Sequence, residues 1–333
     1  MNRRHLLAGA TTLCAPRAMA QAPAIAARQP VDFPTRPVEL VVAFPPGGGM
    51  DVTARIVARH AERLSGHRFI VNNRTGGAGM IAHSYMARQA PADGYTVGIL
   101  SSGVFVDGVM RAQGLWSISD LEIVAFINYD PMVWVTMTRG PIAGLDFRDI
   151  VARAREAPET LRVSMLPQSA YQFSIEQVER ATGASFVQVP FQGGVPGMTA
   201  MLGGHIEIAI VFFSEFRSQY EAGAVRPVAL AGPSRVPNLP DIPTIDEVLG
   251  TNGIQWAAWR FAALPKNVPS DRRDYLAAIF QAGVADAEAQ REFTQAGVLL
   301  DPSLNTGDAV RAAASRLFAA QHRFLRESGR VPQ

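Results

Sequence analysis

Val38-Glu39-Leu40-Val41-Val42-Ala43-Phe44-Pro45-Pro46-Gly47-Gly48-Gly49-Met50-Asp51 carries a short, nearly continuous apolar run into two prolines and three glycines. A run of this kind reads as a strand covered on both faces, and the proline and glycine pairs mark a turn. Residues 50–64 then follow with helical periodicity. Downstream the alternation repeats, with β-rich runs at 69–72 and 96–100 and a helical pattern at 80–89. Strands alternating with helices imply parallel strands joined by crossover helices, so the fold class is α/β.

A second series of the same character follows. It predicts strands at 133–136, 161–165, 186–189, 206–213 and 228–231, and helices at 147–157 and 174–182. Residues 233–243 contain four prolines and read as an irregular connection. Beyond it come a strand at 256–264 and amphipathic helices at 271–285, 287–296 and 306–327. A chain of 333 residues is long for one core, which favours two lobes. Their boundaries are expected near Met132 and Gln255: residues 34–132 with 256–333 form lobe 1 if the last helices return to it, and residues 133–255 form lobe 2.

Residues 1–20 place Arg3 and Arg4 before an apolar stretch that ends in Ala18-Met19-Ala20, the anatomy of an export signal cleaved after Ala20. The paired arginines leave the general and the twin-arginine export routes both open. Cleavage removes three arginines and no acid, moving the formal charge from +2 to −1, so the basic isoelectric point of the whole chain does not argue for nucleic acid. It also removes Cys14, the single cysteine, leaving neither a disulfide nor a thiol nucleophile. No later apolar run approaches the ~18 residues that cross a bilayer. A soluble, periplasmic mature protein is the expectation.

Glycines at 47, 48 and 49 between strand and helix let successive N–H groups and a helix N-terminus face one point, which suits an anion. A tight turn with Asp51 capping the helix is the alternative. A nucleotide-binding loop is excluded, because Met50-Asp51 stands where lysine and a hydroxyl residue would follow. A second cluster, Gly76-Gly77-Ala78-Gly79, fits a dinucleotide pattern only loosely, and an exported chain has little use for such a cofactor. None of the histidines sits in a HExxH pattern and no GxSxG elbow occurs. No metal site, cofactor or catalytic residue is expected.

The chain resembles the substrate-binding proteins of tripartite tricarboxylate transporters, the Bug family. The resemblance is carried by residues 36–42, 44–51, Asn73-Arg74 with its glycines, Asp93-Gly94-Tyr95-Thr96, residues 189–193 and 201–207, and Leu239-Pro240-Asp241-Ile242-Pro243-Thr244. It implies a type II periplasmic-binding-protein fold: two α/β lobes joined by two crossing strands, closing like a flytrap on one small carboxylate. From the first lobe it implies contacts by Pro46, Gly47, Gly48, Gly49, Met50, Asp51, Ser101 and Ser102. From the second it implies Ser169, Ala170, Tyr171, Gln192, Gly193, Gly194, Val211, Phe212 and Phe213. It further implies a monomer that delivers its ligand to the membrane subunits of a secondary transporter, with no nucleic-acid partner.

Two departures bear on the ligand. Val211-Phe212 stands where family members often carry Asp-Asn, and Met165-Leu166-Pro167-Gln168-Ser169-Ala170-Tyr171 replaces a Gly-Ser-rich loop. With those acidic and amide groups missing, the far end of the ligand is expected to be alkyl or aromatic and uncharged, because an unpaired ammonium in a closed cleft is costly. Rival readings are an exported α/β hydrolase using Ser101 or Ser169 with a distant histidine, and a receptor that presents its ligand to a membrane sensor.

Overall fold

The computed structural model describes residues 25–112, 114–232, 234–298, 312, 319 and 322–331. The expected export signal at 1–20 and most of the helix expected at 306–327 lie outside these residues. In chain order the first part runs β1 Val38–Val42, α1 Gly49–Ser65, β2 Phe69–Asn73, α2 Met80–Arg88, β3 Thr96–Ser101 and α3 Gly103–Met110. Next come β4 Leu121–Met137, α4 Phe147–Glu156, β5 Arg162–Met165, α5 Ala170–Thr182, β6 Val187–Pro190, α6 Gly194–Leu202, β7 Ile208–Val211, α7 Phe213–Glu221 and β8 Val225–Ala231. The last elements are α8 Ile245–Leu249, β9 Ala257–Pro265, α9 Ser270–Ala285 and α10 Ala287–Gln295.

β1 pairs in parallel with both β2 and β3, with Val38 opposite Phe69 and Glu39 opposite Thr96. Its side chains alternate between two cores. Val38, Leu40 and Val42 join Ala54 and Val57 of α1 and Leu276 and Phe280 of α9, while Val41 joins Ala82, Met86, Leu100 and Phe261 on the other face. This double burial explains why the strand reads as nearly continuous apolar sequence. The second lobe repeats the device: Trp134 packs with Phe147, Phe173 and Ile210, and Val133 and Val135 pack with Val211 and Phe216.

The two sheets share one strand. The first part of β4 pairs antiparallel with β9, from Leu121 opposite Pro265 to Pro131 opposite Ala257. From Met132 onward it pairs with β8 and β7. The chain returns beside it, with Trp256 donating its N–H to Ala231 (2.8 Å) and Met132 donating to the carbonyl of Trp256 (3.1 Å). Two crossings therefore connect the lobes.

The expectation that 256–333 as a whole belongs to lobe 1 is corrected at its end. α9 packs on α1 and β4 and α10 on α1, but Phe324 stacks against Phe173 and Trp256, with ring centroids 5.4 and 5.2 Å apart. Leu325 lies in the second lobe's core, and Arg330 pairs with Glu176 of α5 at 2.5 Å. Phe173 of α5 and Trp256 supply the rings that this segment covers.

Candidate functional site

Between the lobes lies a cavity of about 170 Å³, similar in size to the ~150 Å³ space known to admit a benzene ring. Its walls are mainly apolar, with Phe44, Met50, Val106, Met132, Leu166 and Phe212 among the lining residues. Around them are the first turns of five helices. Gly48 and Gly49 begin α1, Ser102 and Gly103 begin α3, Ser169 and Ala170 begin α5, Gly193 and Gly194 begin α6, and Phe212 begins α7. Helix N-termini hold N–H groups without intrahelical partners and the positive end of the helix dipole, so this is an arrangement for a negative group.

Local sequence explains each terminus. α1 starts after Gly48, which is extended and offers no side-chain cap. A Cβ on Gly49 would sit 2.7 Å from Nη2 of Arg260, so only glycine allows the helix start to lie this close to the crossing strand. At α5 the Ser169 hydroxyl accepts from the N–H of Tyr171 (3.2 Å) and donates to the carbonyl of Leu166 (2.7 Å), fixing the loop. At α6 a Cβ on Gly194 would collide with the carboxylate of Glu215.

Thirteen of the seventeen sequence-derived contact residues line this cavity: Pro46, Gly48, Gly49, Met50, Ser101, Ser102, Ser169, Ala170, Tyr171, Gln192, Gly193, Gly194 and Phe212. Gly47, Asp51, Val211 and Phe213 do not. Asp51 turns away and ties the loop together, accepting from the N–H of Gly47 (3.0 Å), from Nε of Arg55 (2.9 Å) and from Nδ2 of Asn73 (3.1 Å). Burial opposes its ionisation, but Arg55, the Gly47 N–H and Asn73 together hold its carboxyl below the ordinary value. Nor is it the N-cap, a position that belongs to Gly48. Val211 is the buried end of β7, and Phe213 packs on Phe216 and Tyr220.

Two charged residues of the lining escaped sequence reasoning. Arg111 donates to the carbonyls of Gly77 (2.8 Å) and Ala78 (3.4 Å) and pairs with the buried Asp107. Asp107 also lies 2.5 Å from Nδ1 of His83, whose pKa is pushed down to about 3 by burial and then by Arg111; a neutral His83 therefore donates Nδ1–H to Asp107. Glu215 is the second. One oxygen accepts from the N–H of Phe212 (3.0 Å) and the other from the N–H of Gly49 (3.4 Å), across the gap between the lobes. An acidic group of the second lobe thus lines the cavity, where the departures at Val211-Phe212 and residues 165–171 led to none being expected on that side. Its sequence signal was an acid in the first turn after an apolar strand, a position also expected of an ordinary helix start.

Behind Glu215 lies Arg260, fully buried on β9, with Nη1 donating to Thr53 (3.2 Å) and Nη2 3.0 Å from Asp130 of β4. That pair is a charge contact without hydrogen-bond alignment. Burial drives the Asp130 pKa up to about 7; Arg260 opposes the rise and Glu215 adds to it. Glu215 is raised as well, burial outweighing the two N–H groups and Arg260. No histidine is among the described lining residues, and the hydroxyls of Ser102 and Ser169 are engaged with carbonyls.

Residues 53–299 match the family model described as Tripartite tricarboxylate transporter family receptor. The UPF0065 protein of the tcbD-tcbE intergenic region in Pseudomonas sp. (strain P51) is 29% identical over 301 residues, 90% of this chain and 87% of that protein. Protein BugT of Bordetella pertussis is 29% identical over 237 residues, covering 70% of this chain and 72% of BugT. Among solved structures, R. palustris Rpa4515 with adipate superposes with a TM-score of 0.80 at 27% identity, over 91% of this chain and 100% of that one. The periplasmic binding protein BugD gives a TM-score of 0.81 at 24% identity over 90% and 100% of the two chains, a likeness of fold. The two-lobed α/β architecture is that of periplasmic binding proteins.

Proposed function

The chain belongs to the tripartite tricarboxylate transporter receptor family, a family of solute-binding proteins rather than enzymes, and from that premise we propose that it captures a small carboxylate between its lobes in the periplasm and delivers it to the membrane subunits of a secondary transporter. The observation that carries this reading is the meeting of five helix N-termini at one cavity. Glu215 already accepts from the starts of α1 and α7, so the starts of α3, α5 and α6 are the ones left for a ligand, each favouring a negative group by about 0.3–1 kcal/mol in the open and up to ~2 kcal/mol when partly buried. The thirteen lining residues named above are the proposed contacts, and the apolar walls suit a short alkyl or single-ring body.

Capture is a hinge closure about the two crossings near Met132 and Trp256. Residues 34–132 with α9 and α10 move against 133–255, and a ligand touching both halves favours the closed form. The adipate held by the related Rpa4515 supports a compact carboxylate as ligand. The protein acts as a monomer and needs neither cofactor nor nucleic acid.

The test is a thermal-shift screen of the exported chain against mono-, di- and amino-carboxylates, with calorimetry on the hits. Saturable binding of at least one, with no turnover, is the expected result. Absence of stabilisation by every carboxylate, or hydrolysis of an ester probe, sinks the reading.

A further inference from the structure

Resting on the receptor reading above, we infer that Glu215 is a positioning residue for capture: standing on the start of α1, where a ligand's carboxylate would stand, it clasps the lobes shut before any ligand arrives. The glycine loop shows why. Its three glycine N–H groups all have acceptors within the protein: Gly47 donates to Asp51 (3.0 Å), Gly48 to the carbonyl of Pro45 (3.4 Å) and Gly49 to Oε1 of Glu215 (3.4 Å). The first two acceptors belong to the loop's own lobe. The third comes from the other.

The carboxylate is held in that place from its own side. Oε2 accepts from the N–H of Phe212 (3.0 Å), which folds the side chain back along the start of α7. A Cβ on Gly194 would collide with the same oxygen, so the carboxylate is pressed between the starts of α6 and α1. The two residues before Glu215 meet the first lobe as well. Ser214 Oγ lies 3.3 Å from where a Cβ on Gly49 would stand, and a Cβ on Gly297, just after α10, would collide with the ring of Phe213. Gly297 has φ +77°, and its neighbour Val298 lies in the first lobe's core. Phe213-Ser214-Glu215 thus fits a notch between the start of α1 and the end of α10, with a glycine on each wall.

Parting the lobes draws this segment out of the notch. The Gly49 N–H loses a carboxylate acceptor, a stronger partner than a neutral one, and the contact between Phe213 and Gly297 opens to water. The ring of Phe213 stays packed on Phe216 and Tyr220 in its own lobe, so the segment moves as a piece with α7. Closure therefore draws on contacts that the chain supplies itself, and a ligand adds those at the starts of α3, α5 and α6.

Small-angle X-ray scattering of the exported chain, stripped of bound solute by unfolding and refolding, tests this. The parent should be compact, with a radius of gyration near the ~20 Å of a globular chain of this length, and Glu215→Ala should be measurably larger. Glu215→Gln keeps an acceptor oxygen and should fall between them, a grading of shape that a mere cap of α7 would not give. Gly297→Ala lies outside the cavity and should also expand the protein, because its methyl meets Phe213. Amide hydrogen exchange at Gly49 should quicken about tenfold or more in Glu215→Ala. A parent as expanded as Glu215→Ala, or variants all as compact as the parent, overturns the inference. The scattering uses no ligand, so that outcome leaves the receptor reading to the carboxylate screen. If Glu215→Ala does not fold, Glu215→Gln and Gly297→Ala decide.

Discussion

The backbone amide of Gly49, in the first turn of α1, reaches across the space between the lobes to the carboxylate of Glu215 on α7, N to Oε1 3.4 Å. A helix start that the sequence marks as an anion site is thus partly occupied by an anion from the protein's own second lobe. Around this contact the lobes, the cavity and the buried Arg260–Asp130 pair come together.

Gly49→Ala should disrupt it. The added methyl would lie 2.7 Å from Nη2 of Arg260, which is fully buried and unable to swing away. A loss of about 1–3 kcal/mol is expected from such overpacking, together with weaker ligand binding. Urea denaturation and calorimetry check both; stability and affinity equal to the parent protein would refute the close approach.

Asp130→Asn should flatten the dependence of stability on pH. An acid whose folded pKa is raised binds its proton more readily in the folded state, so its contribution is fully present below the unfolded value of 3.8 and is lost as pH rises toward about 7. Within that window one such proton changes stability by up to about 1.4 kcal/mol per pH unit. Melting curves of parent and variant from pH 4 to 7 should therefore diverge, the parent losing relatively more stability as pH rises. Parallel curves would count against a protonated Asp130.

Asp51→Ala should weaken binding although Asp51 does not line the cavity. Its carboxylate is 3% exposed as a residue and holds Gly47, Arg55 and Asn73 in one loop. Removing a buried acceptor that leaves such donors unpaired costs about 1–3 kcal/mol. Amide hydrogen exchange across residues 45–50 should accelerate, and a variant with unchanged exchange would show the loop to be held by other means.

Ser169→Ala removes the cap of α5 and should destabilise the protein by about 1 kcal/mol, with a modest fall in affinity, since the hydroxyl is committed to Leu166 and Tyr171. A loss of binding far larger than the loss of stability would instead place the hydroxyl on the ligand.

Most of the strands were legible in the sequence, because double burial makes β1, β3 and β7 nearly pure apolar runs with sharp ends. The helices that complete the cavity were harder to see. α6 opens with Gly194-Val195-Pro196-Gly197, residues poor in helix propensity, and α7 follows β7 with Phe212 as its only spacer. The sequence pattern assigns no element to residues 194–202 and runs the expected strand at 206–213 into the start of α7. β4 was read as 133–136, whereas it extends from Leu121 to Met137, since Asn128, Asp130 and Pro131 interrupt its pattern. The loop residues Pro46 to Met50 were found through their glycines. Glu215 and Arg111 were missed because a lone charge in a helical turn has no distinguishing spacing; only the fold brings Asp107, Gly77 and Ala78 around one, and Gly49 and Arg260 around the other.

The sharing of β4 bears on how the molecule comes apart. Its first stretch is stitched to β9 and its last to β7 and β8, so disordering either half strips a neighbouring strand from the other. Heat should therefore melt the protein in a single cooperative step. Where the two halves meet stands Pro131, opposite Ala257; the proline has no N–H to give to the ladder.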